Sequence, residues 1–535
     1  MTLGYGRRLL VGAIAMACVA AGLWASPATA QDTDADLNVT HIERTPKHDY
    51  DATKNMPEPG DEVTFWGHIR YWGGEGSRAL DEVTYEWRID GETVASGTLE
   101  DFEPLLPPFP FDYWGYPDPT DAEAIRDESS WPKNPARYDP GSPPTGLRVV
   151  SLPWTWQEGR HTVELIVDPG DEITERTEAN NSVRDYTDAL AAGFWIEESL
   201  WRYFHENQWR LPEAGSNSWA DWIQRQMTKQ NELYETAVYP EITPEGIDTR
   251  VRIDRLIVVP DGMLPLNGGL PSNNPDSSDK TVDLQWGFAS SMLDGDFYAR
   301  VDEVSDDNPF YLEKSLIHEL GHARYLIDSY GFNVHDQDPE DRVIQVYEDG
   351  EWIVGTYLEW VRPNDMVYNN KYGGVMTGPY GFVWGPYEAA MLQRIAHDRA
   401  SQGNMNSPGN IGEYLNELPE NNYIRFLDPD GEPREDVSMQ IFRATGKDEV
   451  WYGKVYDGEP DAELQSGEDG WIDVGRNPFT GGPPISHTFG IADGVMLVRV
   501  EQGEQVWYRF IECTEFNLEY YKGNTEAAYY EFVLE

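Results

Sequence analysis

Short stretches in which apolar and polar residues alternate run through the first third of the chain, and they limit its possible folds more than any other feature. They are Leu37–Thr40, Val63–Trp66, Thr84–Trp87 and His161–Val167. Alternation with a period of two indicates strands that bury one face. Several such strands separated by turn residues predict a β-sandwich over residues 31–190.

The last of these strands runs into an acidic hairpin, Val167-Asp168-Pro169-Gly170-Asp171-Glu172-Ile173. Glu175, Glu178, Asn180 and Asn181 follow it. This hairpin, together with the order of strands, resembles bacterial CARDB domains, which are immunoglobulin-like. A proline-rich stretch between Pro104 and Pro144 predicts a long loop inserted into the same sandwich.

The apolar pattern changes near residue 191. Helical spacing at Trp195–Trp209 and Trp219–Tyr239 is followed by predicted strands at Arg250–Val259 and Thr281–Trp286, so residues 191–412 predict a mixed α/β domain. A small, polar segment at 403–412 is typical of a linker. Alternating strands then return, which predicts a second β-sandwich over residues 413–535. The fold class is therefore multidomain, a mixed α/β domain flanked by two β-sandwiches.

Residues with metal chemistry lie on one predicted helix of the middle domain, in the motif His318-Glu319-Leu320-Gly321-His322. Histidines four residues apart are separated by about one helical turn, about 6 Å of rise, so both rings can reach one ion. Glu319 lies beside such an ion and not on it, where a base can take a proton from a zinc-bound water. This spacing predicts a Zn²⁺ site with Glu319 as general base.

A methionine-containing turn follows downstream, Gly374-Val375-Met376-Thr377-Gly378, with a predicted helix after it. With the histidine motif, it resembles the metzincin zinc metallopeptidases. The resemblance implies that Met376 lies beneath the metal, and that the domain over 191–412 cleaves peptide bonds.

The third ligand has two main candidates, with Glu359 from a later predicted helix as a weaker one. The metzincin spacing places Asp328 there by count, with Tyr325 where that family has glycine. The segment Ala323–Tyr330 contains no helix breaker, however, and a helix that continues to a stop at Gly331 would carry Asp328 about 9 Å beyond His322. Three extended residues after Gly331 can return His335 to the ion. His335 is therefore the first choice and Asp328 the alternative.

Two tyrosines and two acidic turns are weaker candidates. Tyr380 and Tyr387 could each donate a hydrogen bond to a developing oxyanion. The turns Asp168–Glu172 and Asp428–Glu432 offer oxygen ligands for Ca²⁺, although neither has EF-hand spacing.

The N-terminus predicts export. Arg7 and Arg8 precede the apolar run Leu9–Trp24, and Ala28-Thr29-Ala30 supplies small residues for cleavage, so residues 1–30 are interpreted as a signal peptide. The run is too short for a membrane span, and we expect no other span. The protein is therefore expected to be secreted, extracellular or at the cell surface.

Charge excludes one class of partner. The 535 residues contain 40 Lys plus Arg and 95 Asp plus Glu, a net charge of −55. Nucleic acids would be repelled. Mutual repulsion of these charges predicts adaptation to salty surroundings, with a melting temperature that rises towards molar NaCl.

These features lead to one functional expectation and one rival. We expect a secreted zinc metalloendopeptidase that acts on proteins or peptides, with flanking sandwiches that bind a cell-surface polymer. The rival is a non-catalytic surface adhesion protein with a structural or degenerate zinc site.

Overall fold

The computed structural model describes part of the chain. The described residues are 35–73, 77–106, 146–202, 218–262, 264, 266–267, 270–271, 280–289, 314–335, 347–348, 351–352, 366–368, 370–372, 374–377, 383–396, 398–399, 411–446, 455–456, 459–488 and 491–534. The predicted signal peptide, most of the proline-rich loop, residues 403–410 of the predicted linker and Tyr380 lie outside them. Within these ranges the protein is multidomain and rich in sheet.

Seven strands form two facing antiparallel sheets at the N-terminal end. They are β1 (Asp36–Thr45), β2 (Glu62–Trp72), β3 (Leu80–Ile89), β4 (Glu92–Phe102), β5 (Leu147–Thr155), β6 (Thr162–Val167) and β7 (Ser182–Tyr186). The sheet orders are β1-β2-β5 and β4-β3-β6-β7. Their inward side chains share one apolar core. A Cβ on Gly67 would lie 2.1 Å from Leu165 Cδ2, so only glycine fits where the sheets meet.

The middle part combines a parallel sheet with helices. Its elements are β8 (Leu190–Glu197), α1 (Trp219–Thr236), β9 (Val251–Val259), β10 (Leu266–Asn267), β11 (Leu270–Pro271), β12 (Leu284–Phe288), α2 (Lys314–Ala323), β13 (Val334–His335), β14 (Tyr347–Glu348), β15 (Glu351–Trp352), β16 (Met366–Tyr368) and α3 (Pro386–Arg394). Strands β12, β8 and β9 pair in parallel, in that order, and are buried throughout. This burial on both faces is typical of parallel sheets.

The C-terminal part is again mostly sheet. Its elements are β17 (Asn421–Leu427), β18 (Ser438–Gly446), β19 (Val455–Tyr456), β20 (Ala462–Gln465), β21 (Ile472–Asp473), β22 (His487–Thr488), β23 (Ile491–Ala492), β24 (Val495–Gln502), β25 (Gln505–Glu512), α4 (Cys513–Tyr521) and β26 (Ala527–Val533). One sheet has the order β21-β17-β26, and the other has the order β19-β18-β24-β25 with β20 also paired to β18. One continuous apolar cluster joins this part to the middle part.

The first residues of the helix predicted at Trp195–Trp209 form the end of a strand instead. Trp195 lies in β8, where its neighbours pair with β9 and β12. The run from Leu190 to Ile196 is apolar without interruption, and such a run can be a buried strand or a buried helix. The parallel sheet buries both faces of the run, so the strand forms and the helical prediction at 195–197 is wrong.

The helix that carries the histidine motif is shorter than predicted. It ends at Ala323, and Tyr325 adopts a left-handed backbone with φ of 67°. The amide of Leu326 then bonds to the carbonyl of Gly321 at 3.1 Å, which closes the helix end. The expectation that the helix continues to Gly331 is wrong, and Asp328 therefore does not lie one helical segment beyond His322.

No helix among the described residues has both the length and the apolar character needed to cross a membrane.

Candidate metal centre

Helix α2 places the two motif histidines side by side. The ring centroids of His318 and His322 are 4.9 Å apart and their planes are perpendicular. Each ring is held from behind by a backbone carbonyl: His318 Nδ1 lies 3.0 Å from Val375 O, and His322 Nδ1 lies 2.7 Å from Leu326 O. Because a carbonyl only accepts, each Nδ1 must carry the proton, which turns each Nε2 towards the same side.

Asp328 lies opposite the two Nε2 atoms. The early end of α2 folds the chain back, and Asp328 Oδ1 lies 3.0 Å from His318 Nε2 and 3.3 Å from His322 Nε2. Burial would raise the pKa of Asp328, but hydrogen bonds from the two histidines outweigh it and hold that pKa well below its usual range.

Both nitrogens of each ring therefore face an oxygen acceptor. A neutral imidazole has a single N–H and can satisfy only one of them. Burial opposes a charge on His322, yet the nearby Asp328 raises its pKa to about 9. Without a metal, protons must lie between the Nε2 atoms and Asp328 Oδ1. A divalent cation in that place would satisfy all three groups at once.

The spacing of these three atoms suits zinc. The candidate ligand atoms of His318, His322 and Asp328 all lie within 4.8 Å of one another. Nitrogen and oxygen ligands about 2.0–2.1 Å from a tetrahedral zinc ion are separated by about 3.3 Å, close to the 3.0 and 3.3 Å between Asp328 Oδ1 and the two nitrogens. The residues present therefore fit a zinc ion.

Glu319 lies next to this group with a free carboxylate oxygen. Its Oε2 is buried and has no hydrogen-bond partner among the described residues. Burial raises the pKa of Glu319, although the two histidines oppose the shift. An oxygen without a partner is available to a ligand that the chain itself does not supply.

The methionine turn packs directly under the histidine motif. Met376 is fully buried in the 3-10 turn Val375–Thr377. A Cβ on Gly321 would lie 2.6 Å from Met376 Sδ, so glycine between Glu319 and His322 makes room for the sulfur. The same turn supplies Val375 O, the carbonyl that orients His318.

Glu388 fixes this turn and was missed by sequence reasoning. It is fully buried at the start of α3, where its Oε1 accepts from the amide of Met376 at 2.8 Å and its Oε2 accepts from Gly385 at 2.9 Å. A glutamate at the third position of a helix after a Gly-Pro start is a capping signal, so the pattern Gly385-Pro386-Tyr387-Glu388 could have revealed it.

The remaining candidates are placed as follows. His335 is in β13, which pairs with β16, but its side chain is outside the described residues. Tyr387 is buried in the core between Phe332 and Tyr414, with ring distances of 6.4 and 5.8 Å. Tyr330 was not predicted and stacks on His318 at 6.4 Å.

The two acidic turns use their carboxylates locally. The carboxylate of Asp168 accepts from the amides of Glu172 and Ile173, at 3.2 and 2.8 Å. Asp428 Oδ1 accepts from Asp430 and Glu432, both at 2.9 Å. These bonds stabilise the turns themselves. Over the described part of the chain, two groups have metal-site spacing, the one above and His41, Glu43 and His68.

Comparison with known proteins gives limited structural likeness. The sequence matches no known protein family and no curated protein. The structure is similar to the CARDB domain of a Pyrococcus furiosus protein, solved in complex with di-metal ions, with 15% identity and a TM-score of 0.17 over 29% of this chain and 91% of that chain. It is also similar to a Parabacteroides merdae β-glucuronidase, with 9% identity and a TM-score of 0.18 over 93% of this chain and 66% of that chain. Likenesses at these scores do not assign a function.

Proposed function

We propose that this chain is a zinc-dependent metalloendopeptidase that hydrolyses peptide bonds, with Glu319 as general base. The observation that supports this most is the set of contacts made by His318 and His322. Both Nδ1 atoms are hydrogen-bonded to backbone carbonyls, so both Nε2 atoms face Asp328 Oδ1 with lone pairs that a metal ion can bind. A zinc ion there would supply Lewis acidity, polarising a substrate carbonyl and lowering the pKa of a water towards neutrality.

The chain's own residues would hold the site and move the proton. Val375 O and Leu326 O keep the imidazoles in the tautomer whose Nε2 lone pairs face inward. Glu319 Oε2 would take a proton from the attacking water and return it to the leaving amine. Met376 and Glu388 would hold helix α2 and the turn Val375–Thr377 in fixed positions relative to each other.

For the third ligand, the geometry favours Asp328. The argument for His335 assumed a helix that continues past Ala323, and that helix ends there. Asp328 Oδ1 already lies within 3.3 Å of both Nε2 atoms. We therefore propose His318, His322 and Asp328 as the ligand set, with His335 as the alternative.

The rival function is a non-catalytic adhesion protein whose zinc is structural. The feature that distinguishes the two is Glu319, whose buried Oε2 has no hydrogen-bond partner among the described residues. A closed structural site has no use for such an oxygen. Secretion through the segment 1–30, and attachment to surface polymers through the sandwiches, belong to both functions and are proposed on sequence grounds alone.

Casein digestion by the full chain tests the proposal. We expect cleavage by the zinc-loaded protein, loss of cleavage after chelation, and recovery when zinc is restored. Cleavage that persists after complete chelation would contradict a metal mechanism. A zinc-loaded, folded protein that cleaves neither casein nor a peptide mixture would favour the adhesion protein.

A further inference from the structure

A second group of metal-binding side chains is set by an irregularity in β1. The register between β1 and β2 shifts between Val39 and His41, which marks a β-bulge at Thr40. The extra residue reverses the alternation, so Ile42 points into the sandwich core while His41 and Glu43 face outward. Bulges commonly re-aim side chains in this way.

The bulge brings His41 opposite His68 on the neighbouring strand, where the two residues are paired in the register. Their rings stack with centroids 4.1 Å apart and planes 17° from parallel. Glu43 Oε1 lies 3.1 Å from His68 Nε2 and 3.5 Å from His41 Nε2. One candidate ligand atom from each of these three residues therefore lies within 4.8 Å of the other two.

This outward face is buried because the next domain covers it. His41 and His68 are each 2% exposed and Glu43 is 6% exposed. Lys47 Nζ bridges the parts, 2.9 Å from Glu43 Oε2, 2.9 Å from the carbonyl of Asp254 in β9 and 3.6 Å from its carboxylate. The group therefore lies at the contact between the N-terminal sandwich and the parallel sheet.

We propose that His41, Glu43 and His68 form a second metal site, which holds a structural divalent ion such as Zn²⁺ and fastens the sandwich to the adjoining domain. Glu43 Oε1 faces the ion while Lys47 binds Oε2, an outer contact of the kind that orients metal-bound carboxylates. The rival arrangement is a hydrogen-bonded network in which both Nε2–H groups donate to Glu43.

The test uses a variant in which the first site is removed. In the full-length, tag-free protein, His318→Ala/His322→Ala empties the helix site and leaves the interface intact. After zinc loading and gel filtration, we expect about one zinc ion per chain in this variant. Adding His68→Asn should reduce the content to about none, and adding the control His161→Asn, outside the group, should leave it at about one.

Two results would overturn the inference. One is a folded double variant, verified by circular dichroism, that binds no zinc. The other is zinc that stays bound when His68→Asn is added. X-ray absorption spectroscopy of the zinc-loaded double variant requires no substitution at the interface: imidazole ligands are expected, and a spectrum without them would also overturn the inference.

Discussion

The two histidine–carboxylate groups differ in the elements that carry them and in how closed they are. His318 and His322 lie on one helix and Asp328 follows it, whereas His41, Glu43 and His68 come from two strands and are covered by another domain. The His318 side chain is 13% exposed, against 2% for His41 and for His68. Catalytic metal sites keep an open position and structural ones are closed, so this contrast supports the proposed catalytic role of the first group and the proposed structural role of the second.

The glutamates at the two groups also differ in whether their carboxylate oxygens have partners. Glu43 is bound on both oxygens, by the histidines and by Lys47. The group of His318, His322 and Asp328 is called the helix group below. Beside it, Glu319 Oε2 has no hydrogen-bond partner in the described part of the chain. A satisfied carboxylate holds a structure together, whereas an unsatisfied one beside a cation is placed to accept a proton.

The largest expected effect separates the groups by activity. His322→Ala should reduce casein cleavage at least about 1,000-fold, because the Lewis acid is worth several kcal/mol. His68→Asn should leave most of the activity in protein that remains folded. Equal losses in initial-rate assays, at matched circular dichroism spectra, would show that the two groups do not have separate roles.

The next effect concerns the third ligand of the helix group. Asp328→Ala should weaken zinc binding by more than about 100-fold, beyond the range seen for outer-shell residues. His335→Ala should retain full zinc if Asp328 is the ligand. Competition with a chromophoric chelator measures both affinities. Loss of zinc in His335→Ala, with zinc kept in Asp328→Ala, would restore the assignment made from sequence.

The free energy of unfolding is expected to change with pH because of a buried carboxyl in β7 of the N-terminal sandwich. Asp185 is fully buried near Arg252 and Asp254, and burial raises its pKa from 3.8 to about 7. Because the folded pKa is the higher one, the stability is fully present below about pH 4 and is lost as pH rises towards 7. Asp185→Asn removes this loss, so its advantage in unfolding free energy over wild type should grow by about 3 kcal/mol from pH 5 to pH 8.

Urea denaturation at both pH values measures this growth. The exposed Asp81→Asn, in the same domain, is the control and should show no such change. A fixed cost from the buried amide does not matter, because only the change with pH is compared. An advantage that is equal at pH 5 and pH 8 would refute the buried-charge explanation.

The smallest effect tests the packing beneath the helix group. Alanine usually stabilises a helix relative to glycine by about 1 kcal/mol. At Gly321, however, the added Cβ would lie 2.6 Å from Met376 Sδ, so Gly321→Ala should destabilise by about 1–3 kcal/mol. Thr228→Ala on the exposed side of α1 should be nearly neutral. Thermal denaturation compares the two, and a stabilised Gly321→Ala would mean that Met376 does not press on the helix.

The sequence predicted what depends on local pattern. Helix α2 and its histidine spacing, the strands of both sheet-rich ends, and the burial of Met376 all follow from periodicity or motif. The end of α2 could not be predicted, because Tyr325 adopts a left-handed backbone that its side chain disfavours and that the surrounding fold imposes. That single turn brings Asp328 Oδ1 within 3.3 Å of both histidine Nε2 atoms.

The group of His41, Glu43 and His68 could not be predicted from the sequence for a different reason. His41 and His68 meet through strand pairing and a bulge, and no fixed sequence spacing encodes either. Trp195 shows the same limit, since an apolar run does not reveal whether a sheet or a helix will bury it. Contacts made across strands and between domains, and not the local pattern, decided these features.

The most direct test of the central claim is the turnover of Glu319→Gln at equal zinc content. The account predicts one tightly bound zinc ion at the helix site, as in wild type, and a kcat on a defined peptide that is reduced by at least about 100-fold, the lower range for loss of a general base. Glu413→Gln, an exposed control, should retain full kcat. A Glu319→Gln protein that cleaves the peptide at the wild-type rate would contradict the account.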